Sequence, residues 1–226
     1  MEFLSWQFFM ALGSIIVLDL VLAGDNAVVI AMASYKLPET IRRKVIYIGT
    51  AGAVVIRMLM TVVAVQLLTI PYLQAIGGLI LLPIAYRLLA AKEEDEVKVN
   101  AADNFWAAVR TIIVADAAMG IDNVLAIAGA AQGELTLVLM GLLISVPIVV
   151  GGSRIIGSMM ERYPVLIYFG SGILAWTSGT MIMHDQVAGT YLASQVSSLL
   201  VYGLPAVFAA LVCAAGWQSR RGQSKA

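Results

Sequence analysis

The chain has 226 residues, 61% of them hydrophobic and 12% charged, with 14 basic and 14 acidic side chains that cancel. A soluble domain is about 45–50% apolar and about 25% charged, so no globular core could bury this excess. The composition is that of an integral membrane protein, with room for about seven spans of roughly 20 residues and for little else.

Whole classes of chemistry fall away with it. A single cysteine, Cys213, excludes a disulfide framework, thiolate zinc and iron–sulfur clusters. A single histidine, His184, excludes the multi-histidine sites of zinc hydrolases and is read as an interface residue. Balanced charge offers no nucleic-acid surface, and no Gly-rich phosphate loop points to a bound nucleotide. No permanent cofactor is implied.

The stretch Met1-Glu2-Phe3-Leu4-Ser5-Trp6 lacks a basic n-region, so the first apolar run is read as a retained span, about residues 7–33. The turn Lys36-Leu37-Pro38-Glu39 follows it, then a second span at about 44–69 and, past Pro71, a third at about 72–91. These make a first repeat over about 1–91. The charged stretch Lys92-Glu-Glu-Asp-Glu-Val-Lys98 lies in a linker over about 92–103, read as solvated, with an acidic metal-collecting loop as the alternative. The fourth, fifth and sixth spans, at about 104–131, 134–158 and 164–184, make a second repeat over about 104–193. A seventh span at about 195–217 stands outside the duplication. The runs are continuously apolar, without the alternation of barrel strands. The fold class is therefore all-α: one transmembrane domain over 1–226, two inverted three-helix repeats plus a C-terminal seventh helix.

Lys and Arg set the orientation. Lys36, Arg42, Arg43 and Lys44 follow the first span; Arg87, Lys92, Lys98 and Arg110 surround the middle loop; Arg162 follows the fifth span; Arg220, Arg221 and Lys225 form the tail. The opposite loops, around Pro71, Glu134 and Asp185, carry neither residue type. This asymmetry predicts a multi-pass protein of the cell membrane with its N-terminus outside and its C-terminus cytoplasmic.

Residues 15–31, IIVLDLVLAGDNAVVIA, align without a gap on residues 112–128, IIVADAAMGIDNVLAIA, with eight of seventeen positions identical. The matches pair Asp19 with Asp116, Asp25 with Asp122 and Asn26 with Asn123, and the same offset of 97 takes Arg57 onto Arg154. An offset of 93 takes Pro71 onto Pro164 and Gly77 onto Gly170. Each copy holds three spans, an odd number, so the second sits upside down relative to the first. Inverted repeats of this kind build transport sites near the midplane.

An Asp at the centre of a membrane helix costs about 2.5–3.5 kcal/mol on insertion scales, so four retained in register need an offsetting role. Asp19 and Asp25 are six residues apart, about 120° around a straight helix, and would not share a face. Gly24 suggests a local break that turns both inward and frees backbone carbonyls; Gly120, before Ile121 and Asp122, suggests a second. Carboxylates, amides and carbonyls are oxygen ligands suited to Mg²⁺, Ca²⁺ or Mn²⁺. The expected metal-ligating set is Asp19, Asp25, Asn26, Asp116, Asp122 and Asn123. Arg57 and Arg154 are charge-balancing or gate residues, and Met32 and Met119 are possible soft ligands favouring Mn²⁺, with packing as their plainer role. Protonation of the empty carboxylates would make the site an exchanger of protons for metal.

With D-x5-D-N in the first span and again in the fourth, the chain resembles the TerC family of integral membrane proteins, in its short YjbE-type branch without an appended cytoplasmic domain. The resemblance implies a seven-helix fold related to the LysE-type exporters and, for this branch, manganese export. It carries the family's acidic metal-binding positions onto Asp19, Asp25, Asp116 and Asp122, with Asn26 and Asn123 beside them. Gly24 faces Ile121 in the second copy, a departure from strict symmetry. The leading reading is a secondary transporter exporting a divalent cation, manganese first, from the cytoplasm through a midplane Asp/Asn site. Its alternatives are a LysE-type exporter of amino acids or other small organic molecules, and a non-transporting assembly partner of the secretion machinery. No nucleophile–base pair suggests an enzyme.

Overall fold

The computed structural model describes residues 5–63, 67, 70–90, 101–131, 134–195 and 200–223. Among them every regular element is an α-helix: α1 (Trp6–Leu22), α2 (Gly24–Ser34), α3 (Glu39–Val62), α4 (Leu73–Ala90), α5 (Ala101–Ala131), α6 (Leu135–Arg162), α7 (Val165–His184), α8 (Ala188–Gln195) and α9 (Leu200–Gln223). Five are long and apolar enough to cross a bilayer: α3, α4, α5 over Asn104–Ile121, α6 and α7. The bent pair α1 and α2 counts as a sixth. The expected seventh span, at about 195–217, overlaps α9, which does not count among these candidate crossings. The linker stretch Lys92–Lys98 lies outside the described residues, and positions 101–103, expected in the linker, begin α5.

The first span is broken where Gly24 suggested. The Ser5 side chain accepts the Phe8 amide and caps α1, which runs to Leu22. Ala23 leaves helical geometry at φ −94°, ψ 8°, and α2 departs at 48° to α1. Asp25 thereby falls in the first turn of α2, where the helix dipole favours a carboxylate, and its Oδ1 accepts the Asn26 amide at 3.0 Å. The second expected break is absent: α5 runs unbroken through Gly120-Ile121-Asp122. Gly120 has open space around it, and the position matching Gly24 holds Ile121, whose side chain suits a continuing helix in an apolar setting.

Small residues let the helices approach closely, as membrane bundles without a hydrophobic drive require. A Cβ on Gly78 of α4 would stand 2.5 Å from the Ser178 carbonyl oxygen of α7, and the Ser178 hydroxyl donates to the Gly78 carbonyl at 2.6 Å. Gly179 meets Pro205 of α9 as closely. Gly49 and Gly52 of α3 receive Ile112 and Ile113 of α5, and Gly141 of α6 receives Ile15 of α1. Thus Ile15 and Ile112, equivalent in the repeat, each seat on a glycine of the other copy's second span. An apolar core joins α2, α4, α5 and α7 through Val29, Leu81, Ala115 and Leu174, while Val21, Leu143, Val165 and Phe169 face outward. An apolar exterior of this kind fits lipid rather than water.

Polar ties fix the ends. Asp185, buried after α7, accepts the Val187 and Ala188 amides at 3.0 and 2.8 Å and the Ala75 amide at 3.2 Å, joining the starts of α8 and α4. At the other end of the bundle Arg42 donates to the Tyr35 carbonyl at 2.5 Å and to the Glu161 carboxylate, holding the α2–α3 turn against α6.

Candidate functional site

Asp19 sits one turn before the break in α1, and Asp116 lies midway along α5; both are buried. Arg57, from α3, reaches between them. Its Nη1 donates to Asp19 Oδ1 and its Nη2 to Asp116 Oδ1, each at 2.5 Å. The two repeat-related carboxylates are therefore gripped by one planar guanidinium. The Ser145 hydroxyl of α6 donates to the remaining oxygen of Asp19, Oδ2, at 2.5 Å. Removing the guanidinium would leave two buried carboxylates uncompensated, at a cost of about 3–5 kcal/mol.

Beside this triad lies a cavity of about 20 Å³, lined by Asp19, Asn26, Thr50, Arg57 and Asp116 and bordered by Ile30, Val146 and Val149. About 10–15 Å³ holds one water, so the cavity takes a single water-sized or ion-sized occupant. Its wall carries polar atoms without partners: both side-chain heteroatoms of Asn26, the Thr50 hydroxyl and Arg57 Nε, all buried. Buried polar groups are nearly always hydrogen-bonded, and exceptions cluster where a ligand or ion is handled. Two carboxylates, an amide oxygen and a hydroxyl on one small cavity form an oxygen donor set that suits a hard or borderline cation.

Of the expected ligands, Asp19, Asn26 and Asp116 come together here with Arg57. Asn123, the counterpart of Asn26, is turned instead to the backbone, donating at 3.4 Å to the Leu22 carbonyl that the α1 break leaves without its helical partner. Asp25 is half-buried and does not line the cavity. The side chain of Asp122 lies outside the described residues. Arg154 is not brought to the site: it is exposed, with its guanidinium 5.0 Å from the Tyr47 ring centre. Met32 and Met119 are buried in the apolar core between α2, α4, α5 and α7 and do not line the cavity, which leaves them a packing role. Among the described residues no three His, Cys, Asp or Glu side chains form a cluster, so the donor set depends on amide and hydroxyl oxygens.

Ser145 and Thr50 were not singled out from the sequence. Hydroxyls in membrane helices ordinarily bond a carbonyl one turn back, as Ser34, Thr61 and Thr111 do here. Ser145 has only a longer contact of that kind, 3.4 Å to the Leu142 carbonyl, and donates more closely to a carboxylate, while Thr50 has no partner; nothing in the sequence marks either. Ser145→Ala is expected to lower the unfolding free energy by about 1.5–3 kcal/mol, the range for a hydrogen bond to a charged group, read as a lower melting temperature in detergent.

The family described as "Integral membrane protein TerC family" matches residues 4–224. The chain belongs to the TerC family. Among TerC-like relatives, the Bacillus subtilis protein described as "Uncharacterized membrane protein YjbE" is 48% identical over 179 residues, covering 79% of this chain and 82% of its own length. A second B. subtilis membrane protein, YkoY, is 28% identical over 92% of this chain and 71% of its own. The Escherichia coli K12 "UPF0053 inner membrane protein YgdQ" is 24% identical over 78% of this chain and 81% of its own. No solved structure matches. As a TerC protein with several apolar helices, the chain is a multi-pass membrane protein.

Proposed function

We propose that this TerC protein is a secondary transporter that exports a divalent cation, manganese first, from the cytoplasm across the cell membrane. The observation that carries the reading is the buried Asp19–Arg57–Asp116 bridge beside a cavity whose Asn26 and Thr50 oxygens lack partners. Intramembrane charges are expensive and mark ion pathways by default. The cavity beside the bridge, about 20 Å³, takes one ion or water, which favours a bare cation over an organic substrate. The preference for manganese rests on the family resemblance, since the oxygen donors at the cavity suit Mn²⁺, Ca²⁺ and Mg²⁺ alike.

The path is a seven-span bundle with α9 as the last crossing, the N-terminus outside and the C-terminus inside. The exchanged packing of Ile15 and Ile112 supports two inverted, interleaved repeats. So does a second pair of contacts: Gly77 of the first copy abuts Ala118 and Ile121 of α5, and its counterpart Gly170 abuts Val28 and Met32 of α2. Moving two positive charges outward against an inside-negative potential costs about 4.6 kcal/mol at 100 mV. Export therefore needs a coupled counter-flow, for which inward protons are the natural ion.

Equilibrium binding of Mn²⁺, Ca²⁺, Mg²⁺ and Zn²⁺ to the purified protein tests the reading. Saturable Mn²⁺ binding at one site per chain, weakened in Asp19→Asn, is expected. Absence of binding by any of the four contradicts it.

A further inference from the structure

We infer that Arg57 is a tethered competitor for the cation site: its guanidinium fills the place between Asp19 and Asp116 that the transported cation takes, and it withdraws when the cation enters. The inference rests on the divalent-cation reading above and adds a specific role for one side chain.

Geometry separates this role from that of a fixed structural pair. Arg57 is 5% exposed, yet it is held only at its tip, with one carboxylate on each Nη. Its Nε has no partner, although unpartnered polar atoms of Asn26 and Thr50 line the same cavity. A side chain serving only to lock the bundle would be satisfied along its whole head.

Charge leads to the same exchange. Two carboxylates and one guanidinium leave a net −1 among the three groups. A divalent ion added beside Arg57 would make it +1 in a low-dielectric interior, with two cations close together. A divalent ion in place of Arg57 neutralises the two carboxylates. Exchange is favoured over addition, and the returning guanidinium helps expel the ion from a site that would otherwise hold it tightly. Arg57 is the only basic side chain among the described residues lining this cavity; its repeat counterpart Arg154 lies out against Tyr47. The two halves of the repeat have thus put the same residue to different uses.

A competitor that holds the site nine-tenths of the time weakens apparent affinity about tenfold. Equilibrium Mn²⁺ binding to purified parent, Arg57→Ala and Arg57→Lys, with Mn²⁺ flux in proteoliposomes, reads this out. Arg57→Ala is expected to bind Mn²⁺ about tenfold tighter and to transport it about tenfold more slowly, because release becomes limiting. Added guanidinium should weaken Mn²⁺ binding to Arg57→Ala competitively and leave the parent unaffected. Arg57→Lys keeps the charge, and so the fold, but a point-charge ammonium does not bridge two carboxylates as a planar fork does. It should therefore also bind Mn²⁺ more tightly than the parent, and this variant decides the matter should Arg57→Ala not fold. Equal or weaker binding in Arg57→Lys, with the parent binding normally, overturns the competitor role alone. A parent that binds no divalent cation overturns the cargo reading, and the competitor role falls with it.

Discussion

Cells making Asp116→Asn at the parental membrane level are expected to accumulate manganese as cells lacking the protein do. Asn is nearly isosteric with Asp, so α5 keeps its packing, and Arg57 keeps its bond to Asp19. The three bridging groups pass from a net −1 to neutral, which leaves no buried charge uncompensated. What disappears is one of the two anionic ligands. A buried charge partner is worth about 3–5 kcal/mol, so cation binding should weaken by more than about 100-fold. The melting temperature should change far less. Asp19→Asn should behave alike, with an added loss because Ser145 is left beside an amide. Asp25→Asn should have a smaller effect. The sequence ranks Asp25 equally with Asp19, but its carboxylate is committed to the Asn26 amide away from the cavity wall.

The second large effect lies in the scaffold. Gly78→Val is expected to abolish recovery of folded protein from membranes. Its Cβ would lie 2.5 Å from the Ser178 carbonyl oxygen and 3.1 Å from Ile182 Cγ1. A carbonyl in a rigid helix does not turn aside as a side-chain tip does, so α4 and α7 must separate and the Ser178–Gly78 hydrogen bond goes with them. Overpacking alone costs about 1–3 kcal/mol, and a lost buried hydrogen bond adds about 1 kcal/mol. Gly120→Ala is the matched control. A methyl added at Gly120 would meet nothing within 4 Å, and replacing a mid-helix glycine by alanine gains about 0.5–1 kcal/mol. Yield in the membrane fraction and thermal unfolding in detergent compare the two.

Six of the expected spans were legible because run length and apolarity are set by the bilayer: five helices are long and apolar enough to cross it, and the bent α1–α2 pair makes a sixth. The break at Gly24 was legible because a glycine next to Asp25-Asn26 combines backbone freedom with groups that need a partner. The same reasoning failed at Gly120, where the following Ile121 sustains the helix and only the neighbouring sequence resembles the first copy. At the site, the repeat marked Asp19 and Asp116 as equivalent positions, and the structure brings the two together on Arg57. The repeat could not separate Arg57 from Arg154. Their equivalence is one of position, whereas the direction each side chain takes depends on which helix packs beside it. Arg57 points between α1 and α5, and Arg154 lies out over Tyr47. The two Met side chains likewise sit near the acidic motifs in sequence but turn into the apolar core.

A divalent cation held between Asp19 and Asp116 would be seen by anomalous scattering at the manganese edge, from crystals of the protein grown with Mn²⁺. One peak is expected in this cavity, about 2.0–2.6 Å from a carboxylate oxygen of each aspartate, with Arg57 turned away. A peak elsewhere in the bundle, with Arg57 still bridging Asp19 and Asp116, would move the ion path away from these carboxylates and overturn their role as its ligands.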